Sequence, residues 1–269
     1  MLSIDVLICS FNKGVVKLDA VLLPSEEGVR YVISYQYTDE RYLELMPKGI
    51  AEREDVIVHK YKGQGLSANR NQAMALATAD IVMFADDDTR LTSSSFSIVR
   101  ETFEKHPKVD VAYFRATSYT GRLLKQYPEN EREIFVVPRD YTVSTIEKAC
   151  RREKVQGVIR YDERFGLGTK FLTCGEEDVW VIDAIRRKLK LHYFPIELVE
   201  TSMMLKQSMI YVDAGVQRSF GAFKYYVHGS AAWYHCFCYA FRSARNRYCH
   251  FFPVFRHMME GVRYMRQTK

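Results

Sequence analysis

Four short apolar runs punctuate the first third of the chain: Ile4–Ser10, Arg30–Tyr37, Asp55–Tyr61 and Asp80–Ala85. Each is nearly continuous in Val, Ile, Leu and Phe rather than alternating, as in strands covered on both faces. Between the third and fourth runs, Leu66–Thr78 sets Leu66, Ala73, Leu76 and Ala77 at helical spacing. Thr92 or a following serine caps a helix that runs to Lys105 and stops before Pro107. Strands alternating with helices predict an α/β fold, a mostly parallel sheet flanked by crossover helices.

The middle of the chain is less regular. Val109–Arg115 and Glu133–Val137 are expected as strands and Thr145–Lys154 as a helix. Gly157–Gly175 is loop-rich and holds a G-L-G at Gly166–Gly168; a helix from Glu176 to Leu189 and a strand from Leu191 to Phe194, ending before Pro195, follow. From Tyr225 onward the pattern is helical and dense in aromatics, and Pro253 predicts a break between two helices.

Length and composition then bound the whole. A chain of 269 residues, 47% apolar, buries one substantial core and a small appendage. No uncharged apolar run reaches the ~18 residues of a membrane span, and the segment after Met1 is too short and β-branched for a signal peptide, so a cytoplasmic location is expected. The six cysteines show neither C-x-x-C nor zinc spacing, which fits reduced thiols. Residues 218–269 carry nine Lys or Arg against the single acid Glu260, so the overall +6 resides in the C-terminal segment. A basic tail rich in Phe, Tyr and Trp suits either an anionic membrane surface, which would place the protein peripherally on the membrane's inner face, or an ordinary helical cap on the catalytic domain with its arginines in water; nucleic acid is not expected as a partner.

The sharpest chemical feature is Asp86-Asp87-Asp88, directly after the apolar strand Ile81–Ala85. In an open α/β sheet, ligands bind beyond the carboxyl ends of strands. Three adjacent carboxylates repel unless a cation sits among them, and Mg²⁺ or Mn²⁺ takes oxygen ligands from carboxylates and phosphates. If the chain stays extended, Asp86 and Asp88 share one pocket as metal ligands while Asp87 points away.

These residues resemble a known family. Gly65-Leu66-Ser67-Ala68-Asn69-Arg70-Asn71, then an Ala-rich helix, a hydrophobic strand and Asp86-Asp87-Asp88, are similar to the central signature of family 2 glycosyltransferases with the GT-A fold, bacterial polysaccharide-biosynthesis type. There a small-residue turn and A-R-N open a helix, and D-x-D closes the next strand. Asn69 stands where the family more often has Ala. Ile8-Cys9-Ser10-Phe11-Asn12 is similar to the family's first strand and turn. The paired aspartates after the family's second strand are missing; Thr38-Asp39-Glu40 keeps only their tail, with Gln36 or Asp39 as substitutes for base recognition. The resemblance makes Ser10, Asn12, Gln36, Asp39, Arg70, Asp86 and Asp87 the donor-binding set, and the fork of Arg70 matches paired phosphate oxygens.

Phe165-Gly166-Leu167-Gly168 followed by Cys174-Gly175-Glu176-Glu177-Asp178 resembles the family's acceptor-side motif. Inverting transfer needs a carboxylate that removes the acceptor hydroxyl proton. By resemblance Asp178 is that base and Glu177 orients the acceptor, while Gly166, Gly168 and Glu176 form the acceptor-binding set. A bland role is open for these acids too, since the first turn of a helix favours negative charge. His192, His228 and His235 lack ligand spacing.

The expectation is a GT-A catalytic domain over residues 1–215, with a nucleotide half to about 88 and an acceptor half over 89–201, plus a basic aromatic helical appendage over 216–269. It moves a sugar from a nucleotide-sugar donor to a saccharide or lipid-linked acceptor in surface polysaccharide synthesis, with Mn²⁺ or Mg²⁺. A sugar nucleotidyltransferase, or a non-catalytic sugar- or lipid-binding protein keeping the fold, are the alternatives.

Overall fold

The computed structural model describes residues 1–138, 140–202 and 207–268. They gather into two compact units. The first contains Met1–Gln64, Ala68–Arg160 and Asp183–Met204; the second contains Gly65–Ser67, Tyr161–Ile182 and Leu205–Lys269.

The first unit is built on eight strands: β1 (Ile4–Phe11), β2 (Val29–Tyr37), β3 (Val56–Lys62), β4 (Ile81–Asp86), β5 (Val111–Ser118), β6 (Arg132–Glu133), β7 (Lys148–Arg151) and β8 (Leu191–Thr201). Their order across the sheet is β3-β2-β1-β4-β7-β5-β8-β6. The first four strands run parallel, and their helices are α1 (Leu66–Leu76), α2 (Ser93–Lys105) and the short α3 (Arg152–Val155). Ile4, Val6 and Ile8 of β1 pack with Tyr31, Ile33, Met83, Phe96 and Phe103, all essentially without solvent exposure. Leu7 and Val32 are equally buried at alternate positions, which is why the runs read as continuous. Each such side chain contributes about 1.5–3 kcal/mol of burial. Asp5 is buried too, but it is fully engaged: Arg30 grips it with two bonds of 2.9 and 2.8 Å, and the Thr78 and Ala79 amides donate to it. Removing one partner of such a pair leaves a buried charge, so Asp5 pins β1 to the approach of β4.

The sheet is mixed but mostly parallel, as expected: β1–β5 and β8 run one way, and β6 and β7 run the other. Lys148–Arg151, expected within a helix, is instead strand β7, wedged antiparallel between β4 and β5. The strand at Leu191 does not stop before Pro195. It runs on to Thr201, because the β5–β8 register slips around Arg115 and leaves Pro195 in the irregularity, where its missing N–H costs no ladder bond. The expected strand Glu133–Val137 shrinks to Arg132–Glu133, with Phe135 and Val136 exposed. Thr92 caps α2 as expected, in a reciprocal capping box with Ser95.

In the second unit, α4 (Glu176–Arg186) starts from a Gly-rich loop, and α5 (Ala214–His228), α6 (Ala232–Arg245) and α7 (Phe251–Gln267) form a bundle. The helix expected to reach Leu189 ends sooner: Lys188 takes a left-handed φ of 60° and the Leu189 amide turns back to Ala184 O, the closing pattern of a Schellman motif. From Tyr225 onward the chain completes α5 and then forms the two helices α6 and α7, but the break falls at residues 246–250 rather than at Pro253. Pro253 sits in the first turn of α7, where the backbone N–H has no intrahelical partner to lose. α5 and α7 touch backbone to backbone. A Cβ on Gly221 would come within 1.9 Å of Met258 O, and one on Gly261 within 1.9 Å of Arg218 O. Among the described residues no helix is long and apolar enough to cross a membrane. All six cysteines are free thiols.

Candidate functional site

The parallel register lines up the carboxyl ends of four strands. Cys9 of β1 pairs with Ser34 of β2 and with Asp86 of β4, and Gln36 of β2 lies opposite both Phe11 and Tyr61. The carboxyl ends of these strands carry Tyr61 and Gln36 level with Phe11, and Asp86 level with Cys9, with Ser10 between the two levels. Gln36 is 2% exposed and donates to Tyr61 Oη at 3.1 Å. Asn69, on the buried side of α1, donates to Ser10 O at 3.0 Å, so the residue standing where the family more often has Ala ties the helix to β1. Asn12 adopts a left-handed φ of 47° just after β1, and its side chain exchanges bonds with the Thr38 amide (2.9 Å) and hydroxyl (3.1 Å). Asp39 caps the 3₁₀ turn Glu40–Leu45 by accepting from the Arg41 amide. Its side chain is thus occupied locally.

The acidic triplet does not continue extended. β4 ends at Asp86, and a turn closes as the Thr89 amide donates to Asp86 O at 3.1 Å while the Asp86 amide donates to Thr89 Oγ1 at 2.9 Å. The expectation that Asp87 faces away while its neighbours share one side is corrected accordingly. The turn fans the three carboxylates apart. Asp86 lies 4.0 Å from the Arg70 guanidinium, which is almost wholly buried. Asp87 turns back over β1, accepts from Ser10 Oγ at 3.4 Å and lies 3.8 Å from Lys17. It covers Gly14 so closely that a Cβ there would meet Asp87 Oδ2 at 1.8 Å. Asp88 accepts from Thr201 Oγ1 at 3.3 Å and from Ser202 Oγ, at the end of β8, and its carbonyl accepts from Tyr119 Oη. Burial raises the Asp87 carboxyl above its ordinary range; Lys17 pulls the other way and Asp88 adds to the rise.

Lys17, Gly14, Thr89, Thr201 and Ser202 belong to this edge, and sequence reasoning passed over them. Only Gly14 carried a signal, as the single glycine in the turn after β1. Buried Cys9 beside Asp86 is no nucleophile: desolvation pushes its thiol up to about 12. Among the described residues no three His, Cys, Asp or Glu side chains converge as a metal cluster. His192 packs on Phe194 and His106, and His228 stacks on His235 at 3.7 Å.

The second unit holds the other predicted residues. Gly166 and Gly168 take left-handed φ values of 110° and 88°, open to glycine without strain. Gly166 also lets the loop close on its neighbours, since a Cβ there would meet Ser67 Oγ at 3.0 Å and the Glu176 carboxyl carbon at 3.2 Å. Ser67 Oγ donates to Phe165 O at 2.7 Å, and the Leu66 amide donates to Leu167 O at 2.9 Å. Glu176 is buried against this loop, while Glu177 and Asp178 follow it in the first turn of α4. Burial, then the charges of Glu177 and Glu176, push the Asp178 carboxyl up to about 6, with Lys224 opposing. A carboxylate with that affinity can accept a proton near neutral pH.

Comparison with known proteins finds a matching family model and similar folds. The model of glycosyl transferase family 2 matches residues 44–173. Among solved structures, S. aureus TarS 1–349 in complex with UDP aligns over 100% of this chain and 92% of its own, with a TM-score of 0.59 and 13% identity. TarS 1–349 in complex with UDP-GlcNAc aligns over 83% of this chain and 67% of its own (TM-score 0.54, 15% identity). A longer TarS structure is covered over only 40% of its length (TM-score 0.54, 16% identity, 83% of this chain). No curated protein sequence matches this chain. The family model thus matches just under half of the chain, residues 44–173, and the fold is similar to that of the TarS structures.

Proposed function

We propose that this chain transfers a sugar from a nucleoside-diphosphate donor, a UDP-sugar first among them, to a hydroxyl of a saccharide or lipid-linked acceptor in surface polysaccharide synthesis. The observation that carries the reading is the strand-end edge where the buried Arg70 guanidinium stands 4.0 Å from Asp86, within a fan of three carboxylates. A pyrophosphate needs both cationic partners and a bridging metal, and that edge offers groups for each.

The side chains there suit Mg²⁺ or Mn²⁺. The Asp86 side chain is partly exposed, Asp88 accepts from the Thr201 and Ser202 hydroxyls, and both offer carboxylate oxygens of the kind these ions take. Asp86 and Asp88 would hold it. When bound, the ion neutralises charge on the departing diphosphate. Arg70 binds the donor phosphates, and Lys17 adds positive charge on the β1 side. Ser10, Asn12 and Gln36 line the nucleotide's approach; Asp39 is assigned there with them. Asp178 takes the acceptor hydroxyl proton as that oxygen bonds to the anomeric carbon and the bond from that carbon to the phosphate oxygen breaks. The configuration inverts and the nucleoside diphosphate leaves. Glu177 orients the acceptor, and Gly166, Gly168 and Glu176 shape the loop that receives it.

The test is a donor-hydrolysis screen over UDP-, GDP- and dTDP-sugars with Mn²⁺, comparing wild type with Asp88→Asn. Turnover of one donor class, reduced on the order of 100-fold in the variant, supports the reading. Unchanged turnover refutes the metal assignment, and no turnover with any donor refutes the transfer itself.

A further inference from the structure

The second unit presents an aromatic surface that the reaction does not use. Along α6, Ala232, Cys236, Ala240 and Ser243 are buried, and the stripe flanking them, about 100° round the helix, carries Trp233, Phe237 and Phe241 at intervals of one helical turn, all exposed. α7 extends the stripe. Phe237 meets Phe251 edge-on at 5.4 Å and Phe255 at 6.0 Å, and Phe251 packs on Phe252, which is 81% exposed. Water gains nothing from such a surface, and contiguous exposed aromatics of this kind mark an interaction site.

The charges around the stripe indicate what covers it. Arg242 and Arg245 of α6 and Arg247 of the following turn are exposed, and among the described residues none of the three has a carboxylate partner. Arg256 of α7 lies 3.7 Å from Glu260, the only acid between residues 218 and 269. A protein partner with a dry apolar face would leave these arginines without counter-charge. Anionic lipid headgroups supply it, while Trp and Phe side chains settle at the boundary between headgroups and acyl chains.

We propose that the α6–α7 face is a membrane-surface anchor for anionic phospholipid. Trp233, Phe237, Phe241 and Phe252 enter the interface, and Arg242, Arg245 and Arg247 contact headgroups. Among the described residues no helix is long and apolar enough to span the bilayer, and the contact is peripheral and reversible. This holds whatever the donor or acceptor proves to be.

The test is flotation of the full chain with phosphatidylcholine vesicles and with vesicles of phosphatidylglycerol and phosphatidylcholine. Wild type, Arg242→Gln/Arg245→Gln and Trp233→Ser/Phe252→Ser are compared, and all four substituted side chains are exposed, so the fold is kept. Wild type should float with the anionic vesicles only, and the arginine pair should weaken partitioning about thirtyfold. Salt near 1 M, where screening shortens to about 3 Å, should release most of the wild type, which requires no variant to fold. The aromatic pair should weaken binding at low and high salt alike. Absence of flotation with anionic vesicles overturns the proposal, as does flotation indifferent to both pairs. Sedimentation as a dimer that Trp233→Ser/Phe252→Ser dissolves would assign the face to a second copy instead, again overturning it. UDP titration of the same samples reports separately on the donor site.

Discussion

Replacing Asp178 with asparagine should remove activity and stabilise the fold at the same time. Burial and the neighbouring Glu177 and Glu176 hold this carboxyl up at about 6, against an ordinary value of 3.8. Keeping it charged at pH 7 therefore costs about 2–3 kcal/mol, since each pH unit by which a pKa moves is worth about 1.4 kcal/mol. Its place in the first turn of α4 returns about 0.3–1 kcal/mol through the helix dipole. The net expectation for Asp178→Asn is a gain of about 1–2 kcal/mol at pH 7. The sign is fixed by linkage. The folded state binds the proton more tightly than the unfolded chain, so wild-type stability falls as pH rises from about 4 to 6. The advantage of the variant is full above pH 6 and disappears below about 4. Urea unfolding of both proteins at pH 7.5, 5 and 4 reads this directly, and turnover should fall by about 10²–10⁴. In wild type, turnover should also fall as pH drops through 6. A variant no more stable than wild type at pH 7.5, or one whose advantage does not shrink with acid, would refute the assignment of Asp178 as a half-buried base of raised proton affinity.

Three further outcomes follow from the packing. Gly14→Ala places a Cβ 1.8 Å from Asp87 Oδ2; the carboxylate tip swings away at a cost under about 1 kcal/mol, and UDP affinity should fall about tenfold by calorimetry. Gly221→Ala sets a Cβ against the Met258 carbonyl, which cannot swing aside, so urea unfolding should show a loss of at least about 1–3 kcal/mol. Arg70→Lys keeps the charge but loses the planar fork, and the UDP dissociation constant should rise about tenfold or more.

How far the sequence was legible depended on how local the physics was. β1, β2 and β4 were readable because a strand buried on both faces is apolar nearly throughout, and the edge strand β3 because of its β-branched Val56-Ile57-Val58. β7 was not, because Lys148-Ala149-Cys150-Arg151 becomes a strand only through β4 and β5 on either side of it. Pro195 and Pro253 were read as stops by the same rule and failed for different reasons. One falls in a register slip between β5 and β8, the other in the first turn of α7. At the site, the triplet announced itself by position after a buried strand. Its geometry did not, since the turn closed by Thr89 fans the three carboxylates toward Arg70, Lys17 and Thr201, partners from three other parts of the chain. Asp178 was found by resemblance, and its raised proton affinity came from burial, which no spacing of acids reveals.

The central claim is that the edge formed by Asp86, Asp88 and Arg70 takes a nucleoside diphosphate through a divalent cation. Isothermal titration of UDP into the full chain, with Mn²⁺ and again with EDTA, tests it most directly. Micromolar binding that needs Mn²⁺, and is lost in Asp86→Asn/Asp88→Asn while the melting temperature holds, is the predicted result. Binding of equal strength with EDTA, or no heat with UDP, GDP or dTDP in the presence of Mn²⁺, would contradict it.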